Sequence, residues 1–233
     1  MVKNDSSKIF YNQSHLGQIS TRGYYSEKIQ FFLESLEHLS KNKNLKILDV
    51  ACNDGQLTKL YTYYGEVLGI DINKQSISKA KKHGLNCQCI DFFSLSKKLN
   101  QKFDVVIAGD IIEHVFDTDA FLQKATQLLK PVGSLLLTTP NVASLGRRMM
   151  LLLGRNPYLE YSTTLPTIDI NVGHIRYYTY SDLHSQLTNL KFNNISIFGD
   201  KINLTSTVAL PHYLSKIFPK FSRNFMVICQ KST

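Results

Sequence analysis

The chain has 233 residues, of which 43% are hydrophobic, and this length and composition suit one α/β domain with a sizeable core. Its formal net charge of +9 favours an anionic partner, such as a phosphorylated or carboxylated substrate or a membrane surface. The basic residues are scattered along the chain, a distribution that argues against a nucleic-acid-binding protein.

Targeting and redox features point to the cytoplasm. The N-terminus lacks the apolar core of a signal peptide, and the longest strongly apolar run, residues 149–153, is too short to span a bilayer. The spacing of the four cysteines fits no zinc-binding template, so we expect free thiols in a reducing compartment. We therefore expect a cytoplasmic protein, with peripheral membrane contact left open.

The N-terminal part of the chain differs from the rest in composition. Residues 1–23 are polar with scattered aromatic side chains, which is typical of an irregular arm. Residues 26–39 place apolar side chains at helical spacing, with Ser26 as a candidate N-cap, and so predict an amphipathic helix. We expect residues 1–44 to form this arm and helix, and residues 45–233 to form the main domain.

A regular alternation of strands and helices begins at residue 45. Strands are predicted at residues 45–50, 66–71, 86–90, 103–109, 133–139, 192–199 and 224–230, and helices at residues 55–63, 74–83, 118–129 and 179–189. The first five strands are almost continuously apolar, which indicates a parallel sheet with helices on both faces. The connection at about residues 141–176 is much longer than α/β loops usually are, and we interpret it as an insert.

The first two strand ends predict a nucleotide-binding unit. Asp49 ends the first strand, and Gly55 in the following turn lets the backbone approach a ligand closely. Asp54 lies in the same turn and disfavours a pyrophosphate, so a cationic ligand fits better. Asp71 ends the second strand, where a carboxylate can accept both ribose hydroxyls. The alternatives are an ordinary strand-to-helix turn, and a helix N-cap at Asp71.

The ends of the next two strands carry further candidates. Asp91 can accept from an exocyclic amine and Phe92 can cover a purine, although helix capping and core packing explain them equally well. After the fourth strand, His114 is a candidate general base, and Asp110, Glu113 and His114 together form a candidate metal site. The alternative for His114 is a hydrogen bond that only orders the loop.

The end of the insert places two more polar side chains near this edge of the sheet. His174 and Arg176 precede a helix that Thr179 and Asp182 can cap together. Either side chain can face a pocket, or His174 can order the loop while Arg176 pairs with an acid. Within the insert, residues 147–153 join a basic pair to an apolar stretch. This stretch favours a buried helix over one that lies on a membrane or binds a lipid tail.

The chain resembles the class I S-adenosylmethionine-dependent methyltransferases over roughly residues 45–231. Five segments carry the resemblance: residues 47–55, 71, 91–92, 103–114 and 128–135. The Glu113–His114 pair and residues 173–179 are similar to the ubiquinone-biosynthesis O-methyltransferases and the methionine-biosynthesis-associated methyltransferases. The resemblance implies a Rossmann-like fold, with seven mostly parallel strands, an antiparallel last strand and helices on both faces.

The resemblance also implies a function. Methyl transfer from S-adenosylmethionine to an oxygen, or less readily a nitrogen, of a small molecule, sugar or glycolipid is expected, with His114 as the first candidate base and His174 as the second. In the ubiquinone group an acid-x-x-Glu-His segment is associated with a divalent metal, and the insert with membrane lipid. The implied cofactor contacts are Asp49, Ala51, Asp54, Gly55, Asp71, Ile72, Asp91, Phe92 and Asp110.

Two departures and two rival functions accompany this hypothesis. Ala51 and Asn53 stand where the family usually has glycine, and we expect cofactor binding to survive them. A nicotinamide-dependent oxidoreductase is one rival, but Asn53 and Asp54 do not suit its glycine-rich pyrophosphate turn. The other rival is a non-catalytic partner protein that keeps the fold.

Overall fold

The computed structural model describes residues 23–41, 43–95, 102–158, 174–204 and 208–232. The predicted arm lies outside these residues except for Gly23, as does the middle of the predicted insert, residues 159–173. Among the described residues, no helix combines the length and the hydropathy needed to cross a membrane.

Seven strands form one sheet. The strands are β1 (Leu45–Val50), β2 (Gly65–Asp71), β3 (Cys87–Cys89), β4 (Phe103–Gly109), β5 (Leu129–Pro140), β6 (Phe192–Gly199) and β7 (Asn224–Lys231). Their order across the sheet is β3-β2-β1-β4-β5-β7-β6. The pairs from β3 to β5 are parallel, whereas β7 runs antiparallel to both β5 and β6. The predicted mostly parallel sheet with an antiparallel last strand is thereby confirmed.

Helices cover both faces of the sheet, as predicted. They are α1 (Gly23–Ser40), α2 (Gln56–Tyr61), α3 (Lys74–Lys82), α4 (Thr118–Leu128), α5 (Leu145–Leu152), α6 (Tyr180–Asn189) and α7 (His212–Ile217). Within the described residues, 3-10 turns lie at Phe92–Ser94, Ile112–His114 and Pro219–Phe221. The core on one face packs α1 and α2 against the strands, and the core on the other packs α4 and α6.

The N-terminal helix is an integral part of the core. Ile29, Phe32 and Leu36 of α1 are at most 1% exposed and pack against β1 and β4. Burial of three such side chains is worth roughly 5–9 kcal/mol of transfer free energy. This helix begins three residues before the predicted start at Ser26. It therefore holds its side chains firmly over the sheet.

The helix in the insert differs from its prediction. Residues 147–153 favour a buried helix by sequence, but α5 has no buried residue. Leu151, Leu152 and Leu153 are 66%, 77% and 67% exposed. The buried-helix interpretation is wrong because the short α5 lies outside the layers that cover the sheet.

Candidate active site

The candidate site lies where the parallel strands end. β2 and β4 lie on opposite sides of β1, so the chain leaves β1 and β4 in opposite directions across the sheet. Ligands of open α/β sheets bind in the crevice at such a point, beyond the carboxyl ends of the strands. Asp49, Asp71 and Asp110 lie within or just after β1, β2 and β4. The topology therefore brings the predicted acids to one edge.

The loop after β1 has an unusual backbone. Ala51, Asn53 and Gly55 have φ angles of 58°, 52° and 81°, all in the left-handed region. Glycine adopts this region freely and asparagine tolerates it, whereas for alanine it costs roughly 1–2 kcal/mol. A Cβ atom on Gly55 would lie 2.5 Å from Leu85 Cδ1. The loop thus keeps a glycine-like path, with strain at Ala51.

Asp71 ties this loop to the end of β2. Its Oδ2 accepts from the Asn53 amide at 2.9 Å, and its Oδ1 accepts from the Asn73 amide at 2.7 Å. Asn73 is the N-cap of α3, because its side-chain oxygen accepts from the amides of Gln75 and Ser76. The N-cap alternative for Asp71 is therefore wrong. Beside it, Ile72 is 77% exposed and offers an apolar surface to a ligand.

Asp49 lies beneath the loop. It is 5% exposed, and its Oδ2 accepts from the Thr58 hydroxyl at 2.6 Å. Burial raises the pKa of Asp49 to about 7, against the lowering effects of Thr58 and the Lys28 charge. Asp54 is half-buried in the turn and accepts from the Gln56 side chain at 3.0 Å. Asp49 is thus buried against α2, whereas Asp54 stays partly exposed in the turn.

The end of β3 shows the packing roles that the sequence left open. Asp91 accepts from the Phe93 amide at 2.9 Å and so caps the following 3-10 turn. Phe92 is 6% exposed, and its ring centroid lies 4.7 Å from that of Phe121. The Phe92 ring belongs to the core, whereas the neighbouring Phe93 is 45% exposed.

A cluster of one carboxylate and two imidazoles lies after β4. Potential ligand atoms of Glu113, His114 and His174 all lie within 4.8 Å of one another. The two imidazole centroids are 4.7 Å apart, and His174 Nε2 lies 4.0 Å from Glu113 Oε1. We call these three residues the Glu-His-His cluster.

The buried acid of the Glu-His-His cluster has an unusual environment. Glu113 is 1% exposed, and its Oε2 accepts from the Thr139 hydroxyl at 3.1 Å. Its Oε1 is buried and accepts no hydrogen bond from the described residues. Burial, and secondarily Asp110, raise the pKa of Glu113 to about 8. A protein oxygen left in this state is suited to a cation or to a protonated partner.

Backbone hydrogen bonds bring His174 to the cluster. The Glu113 carbonyl accepts from the amides of Ile175 and Arg176 at 2.9 and 3.0 Å. The Arg176 guanidinium packs on the Phe116 ring, with 5.3 Å from its carbon to the ring centroid, and donates to the Phe116 carbonyl. Arg176 thus secures the segment through an aromatic ring and a carbonyl, and it also lines a pocket together with Thr118 and Tyr177, which agrees with the pocket that the sequence suggested for it.

Asp110 does not join this cluster. Its Oδ2 lies 2.8 Å from Lys28 Nζ, and its Oδ1 accepts from the Thr138 hydroxyl at 2.6 Å. The sequence grouped Asp110 with Glu113 and His114, whereas the structure groups His174 with that pair. Lys28 is not among the site residues that the sequence predicts, although its position one residue before Ile29 and four before Phe32 places a lysine on the apolar face of α1.

Comparisons with known proteins give one family. A family model described as "Methyltransferase domain" matches residues 18–197. Curated relatives are named ubiquinone biosynthesis O-methyltransferase. The one from Rhodopseudomonas palustris strain TIE-1 is 34% identical over 115 residues, which is 47% of this chain and 46% of the relative. The human mitochondrial relative is 35% identical over 111 residues, which is 43% of this chain and 30% of the relative. The chain thus spans half the length or less of these relatives.

Solved structures show the same fold. Magnesium protoporphyrin IX methyltransferase from Synechocystis, with bound SAH, has a TM-score of 0.63 at 18% identity, over 94% of this chain and 89% of the other. The plantazolicin methyltransferase, in complex with a triazolic desmethylPZN analog and SAH, has a TM-score of 0.63 at 17% identity, over 98% of this chain and 91% of the other.

Proposed function

This chain belongs to the methyltransferase domain family, and from that membership we propose that it transfers the methyl group of S-adenosylmethionine to an oxygen of a small molecule. The observation that carries the proposal is the position of the Glu-His-His cluster, at the same edge of the sheet as Asp71 and the left-handed loop after β1. Asp71 and the loop after β1 suit a nucleoside, and the Glu-His-His cluster suits proton removal from an acceptor.

In this proposal the cofactor lies across the carboxyl ends of β1, β2 and β4. Asp71 accepts hydrogen bonds from the ribose hydroxyls while it holds the loop at Asn53. The exposed Ile72 packs on the adenine, and Asp91 accepts from its exocyclic amine. Asp54 favours the positive sulfonium end over a pyrophosphate, which is why an oxidoreductase is the weaker hypothesis.

His114 is the proposed general base, with His174 as the second candidate. An imidazole near the reacting oxygen can accept its proton while the oxygen attacks the methyl carbon. Most of the acceleration in such a transfer comes from holding the oxygen, the methyl carbon and the sulfur in line. The close contact of His114 with His174 holds both rings at this edge.

The Glu-His-His cluster also fits a divalent metal. The buried Glu113 Oε1 supports this fit, because it lacks a hydrogen-bond donor among the described residues and lies 4.0 Å from His174 Nε2. One carboxylate with two imidazoles suits Zn²⁺, Mn²⁺ or Fe²⁺ better than Mg²⁺ or Ca²⁺. When bound, such an ion supplies Lewis-acid polarisation of an acceptor oxygen, and the two imidazoles would then act as ligands, so the base role of His114 belongs to the metal-free site.

The acceptor is proposed as a small molecule with an oxygen that gains the methyl group. Support comes from the relatives named O-methyltransferase, although this chain spans only part of them. The net charge of +9 favours an anionic acceptor, such as a carboxylated phenol.

A direct test of the function uses the purified chain. Titration with SAH by calorimetry is expected to give a Kd in the micromolar range, and NADH is expected not to bind. Incubation with S-adenosylmethionine and 3,4-dihydroxybenzoate, a carboxylated phenol, is expected to yield SAH and a methylated product by mass spectrometry. Absence of SAH binding at millimolar ligand would refute the proposal. Binding without turnover on any phenol, carboxylate, sugar or amine acceptor would favour a non-catalytic partner protein.

Peripheral contact with an anionic bilayer is a separate part of the proposal. The exposed leucines of α5 adjoin Arg147, Arg148 and Arg155, and residues 141–158 contain no acidic side chain. An apolar surface flanked in sequence by positive charges complements an anionic lipid surface.

Replacing two of these leucines should weaken vesicle binding. The double variant Leu151→Ser/Leu152→Ser should partition onto phosphatidylglycerol vesicles at least tenfold more weakly than the wild type, because each buried leucine contributes roughly 1.5–3 kcal/mol. Cosedimentation measures this, and Tyr63→Ser, at another exposed apolar side chain, serves as the control. Equal binding by the wild type and the double variant would contradict the proposal.

A further inference from the structure

Phe116 is an exposed aromatic side chain beside the Glu-His-His cluster. Its exposed fraction of 82% is the highest of the large hydrophobic side chains among the described residues. A phenylalanine ring gains free energy when an apolar surface covers it. Single exposed hydrophobic residues are common, so the position and the support of this ring decide what it can do.

The backbone directs Phe116 and His114 to the same side of the chain. Val115 between them is extended, with φ −87° and ψ 131°, and its side chain is 8% exposed and packs in the core. The two side chains that flank an extended residue point away from it, and their Cα atoms lie roughly 6.6 Å apart. Because Val115 points inward, the Phe116 ring and the His114 imidazole face outward next to each other.

Arg176 supports one face of the Phe116 ring. Its guanidinium carbon lies 5.3 Å from the ring centroid, and the guanidinium also donates to the Phe116 carbonyl. The Arg176 amide in turn donates to the Glu113 carbonyl at 3.0 Å. The ring is thereby connected to the cluster by contacts that hold it in place before a ligand binds. A cation on one face withdraws π-electron density and so favours an electron-rich ring, such as a phenol, on the other face.

Resting on the function proposed above, we propose that the open face of Phe116 is the platform on which a planar ring of the acceptor stacks. The hydroxyl oxygen of that ring then points to His114, within the hydrogen-bond reach that proton removal requires. Stacking also fixes the direction from which this oxygen attacks the methyl carbon, because a ring held flat on Phe116 moves only within one plane. Phe116 is thus a positioning residue that sets the acceptor class, and it forms no bond with the reacting atoms.

A matched pair of ligands isolates the stacking contact. 3,4-Dihydroxybenzoate has a flat aromatic ring, whereas 3,4-dihydroxycyclohexanecarboxylate keeps the carboxylate and both hydroxyls on a puckered ring. With the wild type saturated with SAH, calorimetry is expected to give a Kd about tenfold lower for the flat ligand. NMR is expected to show upfield shifts of the ring protons of the bound benzoate, because these protons lie over the face of Phe116.

Two substitutions at Phe116 separate aromatic stacking from simple apolar contact. Phe116→Leu keeps an apolar side chain, and it should raise the Kd of the benzoate about tenfold, remove the upfield shifts and leave the Kd for SAH within about twofold. Phe116→Tyr keeps the ring and should bind both ligands as the wild type does. Phe198→Leu is the control, because Phe198 is also exposed but lies on β6, which β5 and β7 separate from β4. Thermal melting checks that each variant is folded.

The outcomes separate two failures. A wild type that does not bind SAH overturns the proposed function. A wild type that binds SAH but binds the two ring ligands equally, or binds neither of them, overturns the platform alone and leaves methyl transfer to another class of acceptor. A Phe116→Leu variant that binds the benzoate as tightly as the wild type does also overturns the platform. In that case Phe116 is only an exposed side chain of the loop after β4.

Discussion

His114→Ala lowers the rate of methyl transfer a hundredfold or more, while the Kd for SAH stays within about twofold of the wild type. This is the expected result if His114 removes the acceptor proton, because a positioned general base contributes about 10²–10⁴-fold to a rate. Binding of SAH involves no proton transfer to a general base, so its Kd should not depend on this imidazole. Single-turnover rates with a phenolic acceptor and calorimetric Kd values measure the two effects.

Two companion variants sharpen the assignment. His174→Ala should reduce the rate less than His114→Ala does if His174 mainly positions its neighbour, and the same ranking should hold with a chelator present. His184→Ala is the control, because His184 lies on α6 and stacks on Tyr180, with 6.3 Å between the ring centroids. An unchanged rate in His114→Ala would show that His114 is not the general base. A larger loss of rate in His174→Ala than in His114→Ala would assign that role to His174.

Asp71→Ala is expected to weaken SAH binding at least a hundredfold. The substitution removes two acceptors for the ribose hydroxyls, each worth about 1.5–3 kcal/mol as a hydrogen bond to a charged group. It also removes the acceptors for the amides of Asn53 and Asn73, which hold the loop after β1 against β2. Calorimetry with SAH measures the loss directly.

A cofactor analogue distinguishes the ribose contact from the loop contact. For SAH without its ribose hydroxyls, Asp71→Ala and the wild type should differ much less than they do for SAH. Asp104→Asn is the control, because Asp104 accepts from the Lys46 amide at 2.9 Å at the far edge of the sheet. Tight SAH binding by Asp71→Ala would contradict the placement of the cofactor.

The acceptor side of the site depends on tertiary contacts that local patterns do not reveal. The sequence identified Glu113 and His114 together, because they are adjacent, and His174 separately at the end of the insert. The hydrogen bonds from the Ile175 and Arg176 amides to the Glu113 carbonyl bring His174 to that pair. Asp110, which the sequence grouped with them, instead pairs with Lys28, a residue 82 positions away.

Side-chain burial is the other property that the sequence pattern did not predict and the folded structure decided. Phe92 and the leucines of α5 have similar hydrophobicity, and pattern alone left core packing open for both. The structure buries Phe92 against Phe121 and exposes Leu151 and Leu152. The reason is position in the fold: the turn after β3 faces α4, whereas α5 lies outside the layers on the sheet.

The sequence by itself determined the alternation of strands and helices, the antiparallel last strand through the family resemblance, and the acids at the strand ends. These features follow from periodicities of two to four residues and from residues next to each strand, which are local in the chain. The tertiary structure alone decided that Lys28 meets Asp110 and that His174 joins Glu113 and His114. Those contacts join residues about 60 to 82 positions apart, and they form because parallel strands carry distant segments to one edge of the sheet.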